Sequence, residues 1–119
     1  RLKQGRAMWY AADQDYGIKH SVFAPFFGID TATITVSSRL ASKNKSAVLM
    51  LHQFRDLESK TWTLKFTPML KNFPSGDDLA DATRLNALLE AELRAVPAQY
   101  LWMHRRFKTR PTGEPSFYK

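Results

Sequence analysis

The apolar positions of this 119-residue chain fall into short runs separated by polar turns. Ala7 to Ala12 is the first run and reads as a buried strand. Asp13-Gln14-Asp15-Tyr16-Gly17 follows as a turn, because Asp supplies local hydrogen bonds and Gly permissive backbone angles. Val22 to Gly28 is a second apolar stretch, broken by Pro25 and closed by Gly28. Asp30 to Lys43 carries two patterns at once. Thr31, Thr33, Ile34, Thr35 and Val36 are β-branched and favour a strand, whereas an N-cap at Asp30 with Ala32, Val36 and Leu40 every four residues favours a helix. Ala47 to His52 predicts another buried strand. Thr61 to Thr67 alternates Trp62, Leu64 and Phe66 with polar residues and predicts a half-buried one, with Asp56 to Lys60 as the turn between them. Phe73 to Asp78 reads as a loop, with Ser75 and Asp78 spaced as a capping-box variant. Leu85, Leu88, Leu89, Leu93 and Val96 share one helical face, and Pro97 ends that helix or starts a short new one.

Composition narrows the class. A hydrophobic content of 44% and an aromatic content of 13% argue for a folded chain, and 119 residues fit one domain with a modest core. No apolar run approaches the ~20 residues that a spanning helix needs. The lack of cysteine excludes a disulfide scaffold and thiolate chemistry, and fits a reducing compartment. His20, His52 and His104 are too scattered for a zinc site. There is no Gly-x-Ser-x-Gly element and no phosphate-binding glycine loop. The net charge of +7 favours an anionic partner: nucleic acid, phospholipid head groups or a phosphorylated glycolipid.

The carboxyl end changes the picture most. Four cations, Arg105, Arg106, Lys108 and Arg110, fall within six positions, beside Tyr100, Trp102 and Phe107. Guanidinium groups bind phosphate bidentately and the rings supply apolar contact next to the charge, so the tail suits a ligand that is anionic and partly apolar. Two readings stand about even. The tail either recognises such a ligand or forms ion pairs with the acids at Asp77, Asp78, Asp81, Glu90 and Glu92.

The run Tyr100-Leu101-Trp102-Met103-His104-Arg105-Arg106-Phe107-Lys108-Thr109-Arg110-Pro111 resembles the closing signature of the bacterial lipid A biosynthesis late acyltransferases, the lauroyl and myristoyl transferases. A second block matches near the start: Trp9-Tyr10-Ala11-Ala12-Asp13-Gln14-Asp15-Tyr16-Gly17, then Ser21 to Gly28, with Ala12 where that family usually has Pro. The middle, about Ser42 to Asn72, matches loosely. The resemblance implies an α/β fold, the carboxyl-terminal half of an acyltransferase-type sandwich with a mixed sheet flanked by helices. It also decides Asp30 to Lys43 in favour of a helix. With the abrupt start at Arg1, it implies that residues 1–119 form one domain of a longer enzyme.

The resemblance implies transfer of a fatty acyl chain from an acyl carrier protein thioester to a hydroxyl of a phosphorylated lipid A precursor. It places that work at the cytoplasmic face of the inner membrane, without metal or organic cofactor and without nucleic acid. In that family a His five positions before an Asp or Glu is the general base. Here His20 leads to Pro25, His52 to Leu57 and His104 to Thr109, so the dyad is expected upstream and this chain alone is expected to be inactive. His52 and Asp56 stand four apart, which reads as chance.

Asp13 and Asp15 would lie just past the end of the Ala7 to Ala12 strand, where α/β sheets present ligands. The competing reading is a turn whose Asp side chains bond their own backbone. The resemblance makes Asp13 a functional position in a supporting catalytic role, orienting a base or an arginine or meeting a sugar hydroxyl. Asp15, His104, Arg105, Arg106 and Lys108 are the candidate substrate contacts. Val22, Phe23, Phe26 and Phe27 read as core before they read as an acyl groove. The rival function is a small basic nucleic-acid-binding domain, supported by charge and aromatic-flanked arginines but lacking a recognisable module.

Overall fold

Two antiparallel hairpins and two helices make up the regular structure of residues 2–119, the part that the computed structural model describes; Arg1 lies outside it. The order is β1 (Ser21–Phe26), β2 (Ile29–Ile34), α1 (Val36–Asn44), β3 (Leu51–Arg55), β4 (Trp62–Phe66) and α2 (Asp78–Leu93). Single 3-10 turns occur at Leu2–Gln4, Pro97–Gln99 and Trp102–His104. The expected mixture of strands and helices is present. The strands form two separate two-stranded antiparallel sheets, β1 with β2 and β3 with β4.

β1 and β2 pair from Ser21 opposite Ile34 to Phe26 opposite Ile29. Their two-residue connection puts Phe27 and Gly28 at positive φ (51° and 75°), the backbone that follows the right-handed strand twist. Pro25 is tolerated because a two-stranded sheet leaves edges that need no donor. α2 packs across β1. Buried Ala24 and Phe26 meet a helix whose own buried residues include Ala82, Leu85 and Leu93, whereas buried Ala32 and Ile34 lie on the other face of the hairpin. Phe26, Leu93 and Tyr100 form the centre of the core, with Phe27, Leu89 and Phe107 around them. Full burial of a side chain such as Phe26 or Leu93 contributes about 1.5–3 kcal/mol. The molecule measures 44 × 42 × 22 Å, a slab about as thick as one helix layer on one sheet layer.

The structure departs from the apolar pattern at several places. Residues 7–12 are in no sheet, and Met8 and Trp9 are exposed; a buried strand needs a sheet around it, and both sheets here are self-paired hairpins. The expected helix over Asp30 to Lys43 begins only at Val36, because the β-branched run of Thr31 to Ile34 pairs with β1 first. The strand expected over Ala47 to His52 is shifted to Leu51–Arg55. β4 lies where alternation placed it, but all five residues are exposed rather than half-buried. The cap of α2 is Asp77, whose carboxylate accepts from the Leu79 and Ala80 N–H groups at 2.9 and 3.0 Å. Ser75 instead donates its own N–H to the Asp81 carboxylate. Leu85, Leu88, Leu89 and Leu93 lie on α2 and a short turn starts at Pro97, as the spacing predicts, but Val96 falls past the end of the helix, which closes at Leu93.

Candidate functional site

After α2 the chain turns back over the β1–β2 hairpin, and its aromatic residues fix its path. Tyr100 lies against Phe26, Trp102 and His104, and Phe107 packs on Phe26 at 6.0 Å between ring centroids. This packing separates the tail cations into two groups.

Arg106 is fully buried. It donates to Ala32 O at 2.7 Å, Thr33 Oγ1 at 3.0 Å and Asn86 Oδ1 at 3.4 Å, and its guanidinium lies over the Phe26 ring. Burial pulls its pKa down, opposed by the adjacent Tyr100 and by the Asp13 and Asp15 carboxylates; a guanidinium stays charged under such pressure. Asn86 completes the arrangement from α2, donating to Thr33 Oγ1 at 2.9 Å and Pro25 O at 3.1 Å. Arg110 is held as well, donating to Asp30 O and pairing with Glu114 over the Phe117 ring. By contrast, Arg105 and Lys108 are exposed. Arg105 lies over the Tyr118 ring, and Lys108 has no side-chain hydrogen bond or ion pair among the described residues. The acids of α2 are paired elsewhere: Asp78 with Arg39, Glu92 with Lys65, Glu90 with Arg94. Ion pairing of the tail to α2 is therefore not made. The link between them is Arg106 with the neutral Asn86.

The Asp13–Gly17 loop is fastened to the tail at both ends. Asp15 is 4% exposed and both of its oxygens are engaged. Oδ1 accepts from the Gly17 N–H and the Thr109 hydroxyl, at 2.9 and 2.8 Å, and Oδ2 accepts from the Thr109 N–H at 2.8 Å. The local Asp turn and a long-range bond thus coexist. At the other end the Asp13 carbonyl accepts from the Tyr100 hydroxyl and faces His104 Nε2, both at 3.2 Å. Burial, reinforced by the Asp13 charge, pushes the Tyr100 phenol far above its ordinary value, so it keeps its proton and donates. His104 Nδ1 faces Leu101 O. The Asp13 carboxylate stands beside the Tyr100 phenol and near the Arg106 guanidinium, acting on both through its charge.

Asp13 borders a pocket of about 140 Å3 with His52, Glu92, Gln99 and Tyr100 among its polar residues and Leu89, Leu93 and Val96 among its apolar ones. His52 is 6% exposed, and its Nε2 is buried without a hydrogen-bond partner among the described residues. Burial pulls its pKa down, partly opposed by Glu92. A larger depression of about 550 Å3 lies between the end of α1 and Met69 to Pro74, but its only charged lining residues are Lys45 and Lys71. The convergent polar groups are at Asp13. His52, Tyr100, Asn86 and Thr109 were not singled out by spacing. Asn86 alone carried a signal, a polar residue in step with Ala82, Leu89 and Leu93 on the apolar face of α2. No group of three or more metal-ligating side chains occurs among the described residues.

The sequence that folds into this mixed α/β unit has relatives among known proteins. Residues 1–109 match the sequence profile of the bacterial lipid A biosynthesis acyltransferases. The chain is 42% identical over 118 residues to a lipid A biosynthesis palmitoleoyltransferase of Escherichia coli K12, covering 98% of this chain and 38% of that protein. Identity is 37% to the lauroyltransferase of the same organism, covering 98% and 39%, and 32% to its myristoyltransferase, covering 99% and 36%. The chain belongs to the bacterial lipid A biosynthesis acyltransferase family. The resemblance carried by the Trp9 to Gly17 and Tyr100 to Pro111 blocks is borne out. The chain spans about 38% of the length of the curated relatives it matches. The nucleic-acid-binding alternative gains no support from these relatives.

Proposed function

We propose that this chain is the carboxyl-terminal domain of an enzyme that moves a fatty acyl group from an acyl carrier protein thioester to a hydroxyl of a phosphorylated lipid A precursor. The acceptor hydroxyl gives its proton to a histidine elsewhere in the complete enzyme and attacks the thioester carbonyl; the carrier thiolate leaves and is protonated. The reaction takes place at the cytoplasmic face of the inner membrane. No helix among the described residues is long and apolar enough to cross a membrane. The observation that carries the reading is the Asp13 carboxylate, which borders a pocket while its loop is bonded on both sides to the family's closing segment.

Within this reading Asp13 supports catalysis by orienting an acceptor hydroxyl or a neighbouring base. Arg105 and Lys108, exposed and without carboxylate partners among the described residues, meet the acceptor phosphate. Asp15, His104 and Arg106 keep loop and tail in register. Acyl-transfer assays test it with the complete enzyme, the isolated 119-residue chain and Asp13→Asn. The complete enzyme forms product from carrier thioester and precursor, the isolated chain forms none, and Asp13→Asn loses turnover with little loss of stability. Full turnover by Asp13→Asn removes Asp13 from the mechanism, and product from the isolated chain overturns the placement of the base elsewhere.

A further inference from the structure

The bonds around Asp13 and Asp15 have an uneven distribution. Asp13, whose carboxylate borders the pocket, is held through its backbone; Asp15, whose carboxylate is buried, is held through its side chain. The groups that hold them come from residues 100–109, some ninety positions away in sequence. A turn that only needed to close would require the Gly17 N–H bond alone. The additional donors fix where the loop sits relative to the pocket. Thr109 is the most economical of them, since its N–H and hydroxyl reach different oxygens of one carboxylate.

We propose that Thr109, together with Tyr100 and His104, is a positioning residue that sets the Asp13 carboxylate at its pocket. This rests on the reading of Asp13 given above. It assigns part of the cationic tail to holding an acid in place, separately from any contact with phosphate. Charge-assisted bonds from the backbone N–H and the hydroxyl to Asp15 oppose loop drift, and a misplacement of about 1 Å in a supporting group costs on the order of a hundredfold in rate.

The test uses the complete enzyme. Thr109→Val keeps the N–H bond but loses the hydroxyl, and Thr109→Ser restores it. Thr109→Val is expected to lower kcat about tenfold with little change in KM for the carrier thioester, and Thr109→Ser to recover most of it. The deciding measurement is a double-mutant cycle with Asp13→Asn. If Thr109 acts through Asp13, adding Thr109→Val to Asp13→Asn costs less than about twofold further. Fully additive losses overturn the positioning role even where Asp13→Asn itself is impaired, which separates this failure from that of the parent reading. Full activity in Asp13→Asn overturns both. Hydrogen exchange of the Gly17 amide supplies a readout independent of turnover. Thr109→Val should speed it, Thr109→Ser should not, and the amides of α2 should stay protected in both. Unchanged Gly17 exchange in Thr109→Val overturns the clamp.

Discussion

The β1–β2 side of the molecule and the β3–β4 side are both antiparallel hairpins packed near α2, yet they are secured in opposite ways. The first buries its inward residues and receives Arg106, Asn86 and the tail aromatics. The second turns Trp62, Leu64 and Phe66 outward at 58, 55 and 59% exposure. Apart from buried His52, its ties to the rest are peripheral: Gln99 exchanges two bonds with the Arg55 backbone, and Lys65 pairs with Glu92. Identical secondary structure thus has different standing in the two places. The first hairpin is defined by polar groups that would be costly to leave unpaired, the second by its own ladder and a rim of surface contacts.

The largest effect that separates the two sides should come from Arg106→Met. The substitution keeps apolar volume but leaves Ala32 O and Asn86 Oδ1 without their donor, and Thr33 Oγ1 with Asn86 as its donor. Unpaired buried acceptors cost about 1–3 kcal/mol each with partial relief by rearrangement, so a net loss of about 3–5 kcal/mol is expected in urea unfolding. Arg106→Lys should rescue little, because an ammonium cannot reproduce the planar fork. A loss below about 1 kcal/mol would show that the first hairpin stands on apolar packing alone, and the contrast with the second would disappear.

Legibility in the sequence follows the same division. The helix of Asp78 to Leu93 was readable because four leucines, Leu85, Leu88, Leu89 and Leu93, repeat at its period, and β4 because three apolar residues alternate. The split of residues 30–43 into strand and helix was not, because both periods are present and only pairing with β1 selects between them. The tail was recognisable as a unit from its residue types. Their division of labour was not, since adjacent Arg105 and Arg106 differ only in which way the backbone turns them, and Arg105 stands at positive φ. The proximity of His52 to Asp13 left no trace in spacing, because it depends on how β3 meets the end of α2.

A pH titration of stability sharpens the comparison at that junction. Burial depresses the folded-state pKa of His52 below its unfolded value of about 6.5. Between the two values the unfolded chain binds more protons, so the His52 contribution is intact above about 6.5 and is lost as pH falls toward the folded value. His52→Phe should remove this part of the acid sensitivity between neutral pH and pH 5, measured as the change in urea midpoint with pH. An identical pH profile in the variant would mean that β3 and α2 separate readily enough to hydrate the imidazole.

The smallest effect should be at the outward face of β4. Leu64 is more than half exposed and faces Gln53 across the ladder, so Leu64→Thr removes little buried area and keeps a residue that suits a strand. The stability of the 119-residue chain should change by no more than about 0.5 kcal/mol. The same substitution in the complete enzyme provides the sharper half of the comparison. If that enzyme is equally indifferent, the face of β4 is a surface there too. A loss of about 2 kcal/mol or more would be a core-like response and would mean that Leu64 is covered. In that case the two hairpins would differ in which part of the enzyme covers them, and the looseness of the second would belong to this chain alone.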